Sequence, residues 1–196
     1  MSNASTWDSR YATGDTPWEK GRAHPELTSI LQRFLTTGPV LVPGCGTGHD
    51  VRAIAHTGVR VLGVDISAEA VKRAGESGSV GLESYQVADF LKWNAEEPFQ
   101  GVFEHTCFCA IDPALREEYA KTMERLLKPG GMLIAVFFLD PGLDPGETGP
   151  PFAVTPEELN RLFSPNFTLL ESWIPVSTYP GREGRELCCI YQTKEK

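Results

Sequence analysis

An α/β fold on a doubly wound, mostly parallel, seven-stranded sheet is what this sequence predicts, on three observations. Strand-length apolar runs alternate with amphipathic helical runs over residues 40–138, the pattern of βαβ units. A glycine-rich loop, Gly44-Cys45-Gly46-Thr47-Gly48, stands directly between the first such strand and the next helix, at the carboxyl edge where open α/β sheets bind ligands. Two strand-like runs at the end, 168–174 and 186–192, have no helix between them, as in an antiparallel last pair closing a sheet.

The elements follow in order. Residues 1–5 are left out of the fold, because Ser2-Asn3-Ala4 looks like an expression-tag remnant. Leu27, Ile30, Leu31 and Phe34 mark an amphipathic helix, and the aromatic segment ahead of it is long enough to fold over the sheet's ligand end. Strands are expected at 40–42, 60–64, 83–87 and 101–106, with a helix starting near His49 or Asp50 and Ser67 capping the next. Asp112-Pro113 starts another helix, on which Leu115, Tyr119, Met123 and Leu126 share a face, and Lys128-Pro129-Gly130-Gly131 ends it. The apolar run 132–139 reads as a central strand. A long loop follows, made by Pro141, Gly142, Pro145, Gly146, Gly149, Pro150 and Pro151, a candidate pocket wall. Thr155-Pro156-Glu157-Glu158 is a capping box opening a helix to about Phe163, with Leu159, Leu162 and Phe163 on its apolar face.

Composition narrows the function. The chain of 196 residues fits one domain, with 1–37 as an N-terminal segment and 38–196 as the core. Its longest apolar stretch is only a strand's length, so no membrane span is expected. A net charge of -8 repels a phosphate backbone, which excludes nucleic acid and leaves a small-molecule substrate; a monomer or weak homo-oligomer is expected. The five cysteines form no C-x-x-C pair, and an odd number cannot all pair within one chain. With no apolar leader at the start, the reading is reduced thiols and a cytoplasmic protein. Cys107 and Cys109 are expected on one strand face as packing residues, while Cys188-Cys189 point to opposite faces. His24, His49 and His56 lack ligand spacing, so no metal site is proposed.

The cofactor site is built around the glycine loop. Gly44, Gly46 and Gly48 let the backbone turn sharply and approach a ligand, though a tight structural turn needs the same residues. Asp65, with Ile66 beside it, ends the second strand roughly twenty residues later, where a carboxylate accepts hydrogen bonds from both ribose hydroxyls. The spacing G-x-G-x-G differs from the G-x-G-x-x-G that presents a helix N-terminus to a pyrophosphate, and S-adenosylmethionine has no pyrophosphate. After the third strand comes Ala88-Asp89-Phe90, where the aspartate accepts the adenine amino group and the phenylalanine covers the ring. A polar strand end is the plain alternative.

With these residues the chain resembles class I methyltransferases of Rossmann-like fold, specifically the thiopurine S-methyltransferase and plant-type thiol and halide methyltransferase group. The resemblance is carried by Trp7-Asp8-Ser9-Arg10-Tyr11, Thr16-Pro17-Trp18-Glu19-Lys20-Gly21-Arg22 and Val42-Pro43-Gly44-Cys45-Gly46-Thr47-Gly48-His49-Asp50. Further matches are Thr106-Cys107-Phe108-Cys109-Ala110-Ile111, Leu127-Lys128-Pro129-Gly130-Gly131, Gly149-Pro150-Pro151-Phe152-Ala153-Val154 and Arg182-Glu183-Gly184-Arg185-Glu186. It implies S-adenosylmethionine as cofactor, S-adenosylhomocysteine as product, and a helical N-terminal lid placing Trp7, Tyr11 and Trp18 over the donor. Ring faces attract a sulfonium, and a closed lid excludes water. Ordinary core packing of the tryptophans is the alternative.

The acceptor side is less defined. Relatives carry Asp-Tyr where this chain has Glu104-His105. His105 is expected to keep a cofactor contact while changing acceptor preference; it either acts in addition as a base toward a neutral acceptor or only contacts the cofactor, and the plain alternative is a polar strand-end residue bonded to backbone. Arg116 corresponds to an arginine near the acceptor in relatives and is the candidate cation, against a surface salt bridge with Glu117, Glu118 or a neighbour. Phe108, Phe138 and Phe152 are candidates to line an apolar acceptor pocket, or to belong to the core. The expected function is methyl transfer to a small polarizable acceptor such as a thiol, hydrosulfide, halide or thiopurine. An N- or O-methyltransferase on a larger metabolite and a non-catalytic cofactor-binding protein are the competing readings.

Overall fold

The computed structural model describes residues 4–34, 37–144 and 147–194. Ser2 and Asn3 of the tag-like start, and Pro145 and Gly146 of the proline-rich loop, lie outside the described residues. Helix α1 (Ala4–Thr13) and helix α2 (Leu27–Phe34) precede the sheet. Strands β1 (Val40–Pro43), β2 (Val61–Asp65) and β3 (Glu83–Val87) then alternate with helices α3 (His49–Ala55) and α4 (Ala68–Glu76). Strand β4 (Phe99–His105) leads through a short 3-10 segment to helix α5 (Arg116–Leu126) and strand β5 (Leu127–Phe138). Helix α6 (Pro156–Phe163) and strands β6 (Phe167–Trp173) and β7 (Glu186–Thr193) complete the chain.

The strand order is β3-β2-β1-β4-β5-β7-β6. The first five strands run parallel, and β7 pairs antiparallel with both β5 and β6. The order reverses at β1, since β2 and β4 flank it, and such a switch point opens a crevice above the strand ends. Alternation along each strand sorts the core into two layers. Leu41, Leu133, Ala135, Phe137, Cys189 and Tyr191 face α5 and α6, while Val40, Val42, Ile134, Val136, Cys188 and Ile190 face α2 and α3. The adjacent cysteines do point to opposite faces, as the strand period requires.

Local signals worked as their chemistry dictates. Ser67 Oγ accepts the Ala70 N–H at 3.1 Å, and Thr155 Oγ1 accepts that of Glu158 at 3.2 Å. Asp112 Oδ1 accepts the Ala114 N–H at 3.0 Å, but it caps a 3-10 turn, Pro113–Leu115, so α5 proper starts at Arg116.

Two expectations are corrected. The Lys128-Pro129-Gly130-Gly131 turn is absorbed into β5: Phe99 pairs with Leu127 and Gly101 with Met132, leaving Gln100 opposite residues 128–131 in a bulge. Cys107 and Cys109 do not lie on a strand. Thr106 adopts φ 60°, a left-handed conformation uncommon for a non-glycine residue, which ends β4 and turns the chain into the 3-10 helix Phe108–Ala110.

Candidate functional site

Above the switch point lies a cavity of about 690 Å³. Because β2 and β3 are on one side of β1 and β4 and β5 on the other, its wall falls into two halves. Gly44, Gly46, Asp65, Ile66, Asp89 and Phe90 line the first. Gly44 and Gly46 hold φ of 58° and 52°, and no side chain fits either: a Cβ would lie 2.7 Å from Cys107 Sγ at Gly44, and 2.9 Å from both Glu19 Oε1 and the Tyr11 hydroxyl at Gly46. Gly48, with φ 78°, is the cap residue before α3 and does not border the cavity.

Asp65 is 7% exposed. Its Oδ2 accepts the Gly46 N–H and its Oδ1 that of Ser67, both at 2.9 Å, so the carboxylate is fixed against the glycine loop. Burial pushes its carboxyl above the usual range, against those two donors. Asp89 holds Lys92 at 3.1 Å, and the Phe90 ring packs edge-on against Tyr119 at 5.7 Å. Ala88 serves the floor from behind, its N–H donating to the Asp65 carbonyl at 2.9 Å, and does not border the cavity.

Trp7, Tyr11 and Trp18 all line the cavity. Trp18 Nε1 donates to the Tyr11 hydroxyl at 3.0 Å, Trp7 meets Trp18 edge-on at 5.2 Å, and the Arg10 guanidinium lies 4.3 Å from the Trp18 ring centroid. Two carboxylates the sequence reading did not single out dock this segment. Asp8 accepts from the Ser67 hydroxyl at 2.6 Å and the Glu69 N–H at 3.2 Å, at the start of α4. Glu19 accepts from the Thr47 hydroxyl and comes within 3.7 Å of His49, tying the segment to the glycine loop. Both carboxylates sit at a helix N-terminus, where negative charge is favoured.

His105, Phe138, Pro150, Pro151, Tyr179 and Arg182 line the second half. His105 Nδ1 bonds Asp50 Oδ2 at 2.8 Å, and the other Asp50 oxygen accepts the His24 N–H at 2.8 Å. Burial pushes the Asp50 carboxyl up, but His105 and the His24 N–H outweigh it and hold it below the usual carboxylate range. Asp50 is therefore an acceptor, and Nδ1 carries the proton. Arg182 lies 4.4 Å from the Phe138 ring centroid and donates to Glu186 at 3.0 Å, a cation that sequence reading passed over although its Arg-x-x-x-Glu run had been matched.

His24 joins His105 and Glu186 in a cluster whose ligand-type atoms lie within 4.8 Å of one another. Hydrogen bonding decides its character. His24 Nδ1 accepts the Glu26 N–H at 3.2 Å, so the neutral ring bears its proton on Nε2 and donates it to Glu186 at 3.0 Å. That leaves no free lone pair on His24 for a metal. Burial also lowers the His24 pKa, keeping the ring neutral.

Arg116 and Phe108 are placed differently from expectation, because neither borders the cavity. Arg116 is 3% exposed and donates to Glu158 at 3.0 Å and to the Phe152 and Ala153 carbonyls at 3.3 and 3.0 Å. The capping-box carboxylate of Glu158 is thus taken by an arginine, binding α5 to α6 rather than closing its own helix turn. Phe108 packs in the core, 5.1 Å from Tyr119, 5.3 Å from Phe137 and 4.9 Å from the Arg116 guanidinium.

The thiopurine S-methyltransferase family model matches residues 2–178. The chain belongs to that family. Among its relatives, probable thiol methyltransferase 2 of Arabidopsis thaliana is 38% identical over 164 residues, covering 81% of this chain and 71% of the relative. Thiocyanate methyltransferase 1 of Brassica oleracea is 35% identical over 186 residues, covering 90% and 81%. The fold matches the N-methyltransferase NodS of Bradyrhizobium japonicum, solved with S-adenosylhomocysteine, at TM-score 0.77 and 18% identity over 99% of this chain and 100% of that one. As a member of the thiopurine S-methyltransferase family the protein is an S-adenosylmethionine-dependent enzyme that methylates small acceptors. The first half of the cavity suits that cofactor, since the close approach at Gly46 and the fixed Asp65 carboxylate form a side-chain-free cradle under an aromatic cover. Among the described residues no helix is long and apolar enough to cross a membrane.

Proposed function

We propose that the acceptor is a small sulfur nucleophile or halide-like anion, the class named for the plant relatives, and that it binds against His105, Phe138, Tyr179 and Arg182. Cavity size carries this reading. About 690 Å³ falls within the roughly 300–1,000 Å³ filled by one drug-sized ligand, and a cofactor of that size leaves room for an acceptor of few heavy atoms. The cofactor supplies an electrophilic methyl group on a sulfonium, which the acceptor takes by in-line displacement. What the chain contributes is alignment and exclusion of water, and alignment alone is worth roughly 7–11 kcal/mol.

Placement supports the following residue roles. Asp65 holds the ribose hydroxyls and Asp89 the adenine amino group, Phe90 and Ile66 flank the base, Gly44 and Gly46 admit the backbone side of the cofactor, and Trp7, Tyr11 and Trp18 cover it. Arg182, half-neutralised by Glu186, gathers an anionic acceptor, and Phe138, Pro150 and Pro151 desolvate it. A net charge of -8 supports a protein that handles no nucleic acid. The five cysteines, all free of disulfides, support a reducing, cytoplasmic setting, where the enzyme acts as a monomer or weak homo-oligomer.

The test is to supply S-adenosylmethionine with hydrosulfide, iodide, thiophenol or a thiopurine in turn and to measure S-adenosylhomocysteine. Turnover of at least one is expected; a protein that binds the cofactor by calorimetry yet forms no product with any of them refutes this acceptor class.

A further inference from the structure

His105 Nε2 is buried and has no hydrogen-bond partner among the described residues, although the ring lines the cavity and its side chain is 8% exposed. An unpaired buried nitrogen costs roughly 1–3 kcal/mol, so a native site that keeps one calls for an explanation. The surrounding geometry gives one. Asp50 fixes Nδ1 as the protonated nitrogen, which leaves the Nε2 lone pair as the free acceptor. Asp50 is itself immobilised from α3 by the His24 N–H, and the Tyr179 ring stacks on His105 at 5.8 Å and 21°, so the imidazole has little freedom to rotate. A carboxylate that orients an imidazole with its far nitrogen unoccupied is the arrangement of a general base held in the right tautomer.

We propose that Asp50 and His105 form a proton-accepting dyad that extends the enzyme's range from permanent anions to proton-bearing acceptors, neutral thiols and hydrogen sulfide. The inference rests on the methyl-transfer reading above. In the step, the acceptor S–H bond breaks and its proton passes to Nε2, leaving the bonding pair on sulfur. That sulfur bonds to the methyl carbon, while the pair of the broken carbon–sulfonium bond stays with the departing thioether. The imidazolium, its Nδ1–H still on the Asp50 carboxylate, afterwards returns its proton to solvent. Charge balances throughout, since one sulfonium becomes one imidazolium. A thiol is only a few per cent ionised near neutrality, so such a base matters for thiols and has nothing to remove from thiocyanate or iodide. His24, Tyr179, Arg182 and Glu186 also face the dyad; Arg182 is ion-paired with Glu186 and His24 is neutral, so Asp50, in direct contact with Nδ1, is the charge that governs His105. His105 is the catalytic residue in this step and Asp50 a positioning residue.

The experiment compares an alkyl thiol, 2-mercaptoethanol, which stays protonated near neutrality, with thiocyanate in wild type, His105→Gln and Asp50→Asn, with cofactor affinity measured by calorimetry in each. General-base assistance contributes typically 10²–10⁴-fold, so the 2-mercaptoethanol-to-thiocyanate rate ratio is expected to fall by about 10² in His105→Gln and less in Asp50→Asn. Thiol turnover of the variants should rise with pH toward the thiol's own ionisation. Nitrogen NMR of the His105 ring, independent of turnover, should show a protonated Nδ1 and bare Nε2 in wild type and a mixture of tautomers in Asp50→Asn. An unchanged ratio in variants that bind cofactor, or a wild-type ring protonated on Nε2, overturns the dyad alone. A wild type that binds cofactor and turns over neither acceptor overturns the methyl-transfer reading and the dyad with it.

Discussion

The two halves of the cavity wall are built by different means. The cofactor half comes from the tips of β1, β2 and β3 and the turns that follow, with Asp65 bonded to Ser67, two residues on in the chain, and to Gly46, in the loop that follows the adjoining strand. The acceptor half joins distant segments: His24 meets Glu186 across 162 positions and Asp50 meets His105 across 55. The first is a property of two consecutive βαβ units, whereas the second exists only when β4, β5, β7 and the segment before α2 are assembled. The difference teaches that the two halves can be perturbed separately, and substitutions test whether donor binding and acceptor choice separate with them.

The largest effect should fall outside both halves. Arg116→Ala removes a buried guanidinium from Glu158 and two carbonyls, and should cost on the order of 3 kcal/mol of stability in denaturant unfolding, with acceptor KM unchanged in the folded fraction. A selective rise in acceptor KM would instead return Arg116 to the site. Next, Asp65→Ala should weaken cofactor binding by roughly 2–3 kcal/mol, about 30- to 150-fold in Kd by calorimetry, without altering the ratio of thiol to thiocyanate turnover. A changed ratio would break the separation. Arg182→Ala should act the other way, raising the KM for an anionic acceptor about tenfold, or ~1.4 kcal/mol, with cofactor affinity constant and partial recovery in Arg182→Lys.

The last effect is one of pH and concerns the frame beneath the acceptor half. Glu104 is fully buried, accepting from the Phe108 N–H at 2.8 Å and the Tyr119 hydroxyl at 2.5 Å, and burial pushes its carboxyl up to about 7. Because the folded value lies above the unfolded one, its contribution is present below about pH 4.5 and is lost as pH rises through about 7. Glu104→Gln, which never ionises, should gain stability relative to wild type across that window. Unfolding midpoints at pH 5 and 8 check the sign: a gap that narrows at pH 8 would contradict the buried-acid assignment.

Legibility in the sequence followed the same division. The strands, the caps at Ser67 and Thr155, the glycine loop and Asp65 were readable because each depends on side chains a few positions apart, or on a motif whose geometry is local. Arg116 was misplaced for the converse reason. Its position at the start of a helix was correct, but its partner Glu158 is 42 residues away and belongs to a capping box that looked self-sufficient. Arg182 and Asp50 were visible as letters within matched motifs, with no local signal of what they would face.

By itself, then, the sequence determined the α/β alternation, the parallel sheet with its antiparallel end and the glycine loop with Asp65 at the strand ends, since periodicity, capping and glycine turns act over one or two helical turns or a single strand. Only the tertiary structure decided which arginines reach the cavity, which nitrogen of His105 is free, and which carboxylates dock the aromatic segment. Those outcomes depend on burial and on hydrogen bonds between segments remote in the chain, and a buried polar group takes whichever partner the assembled fold brings within about 3 Å.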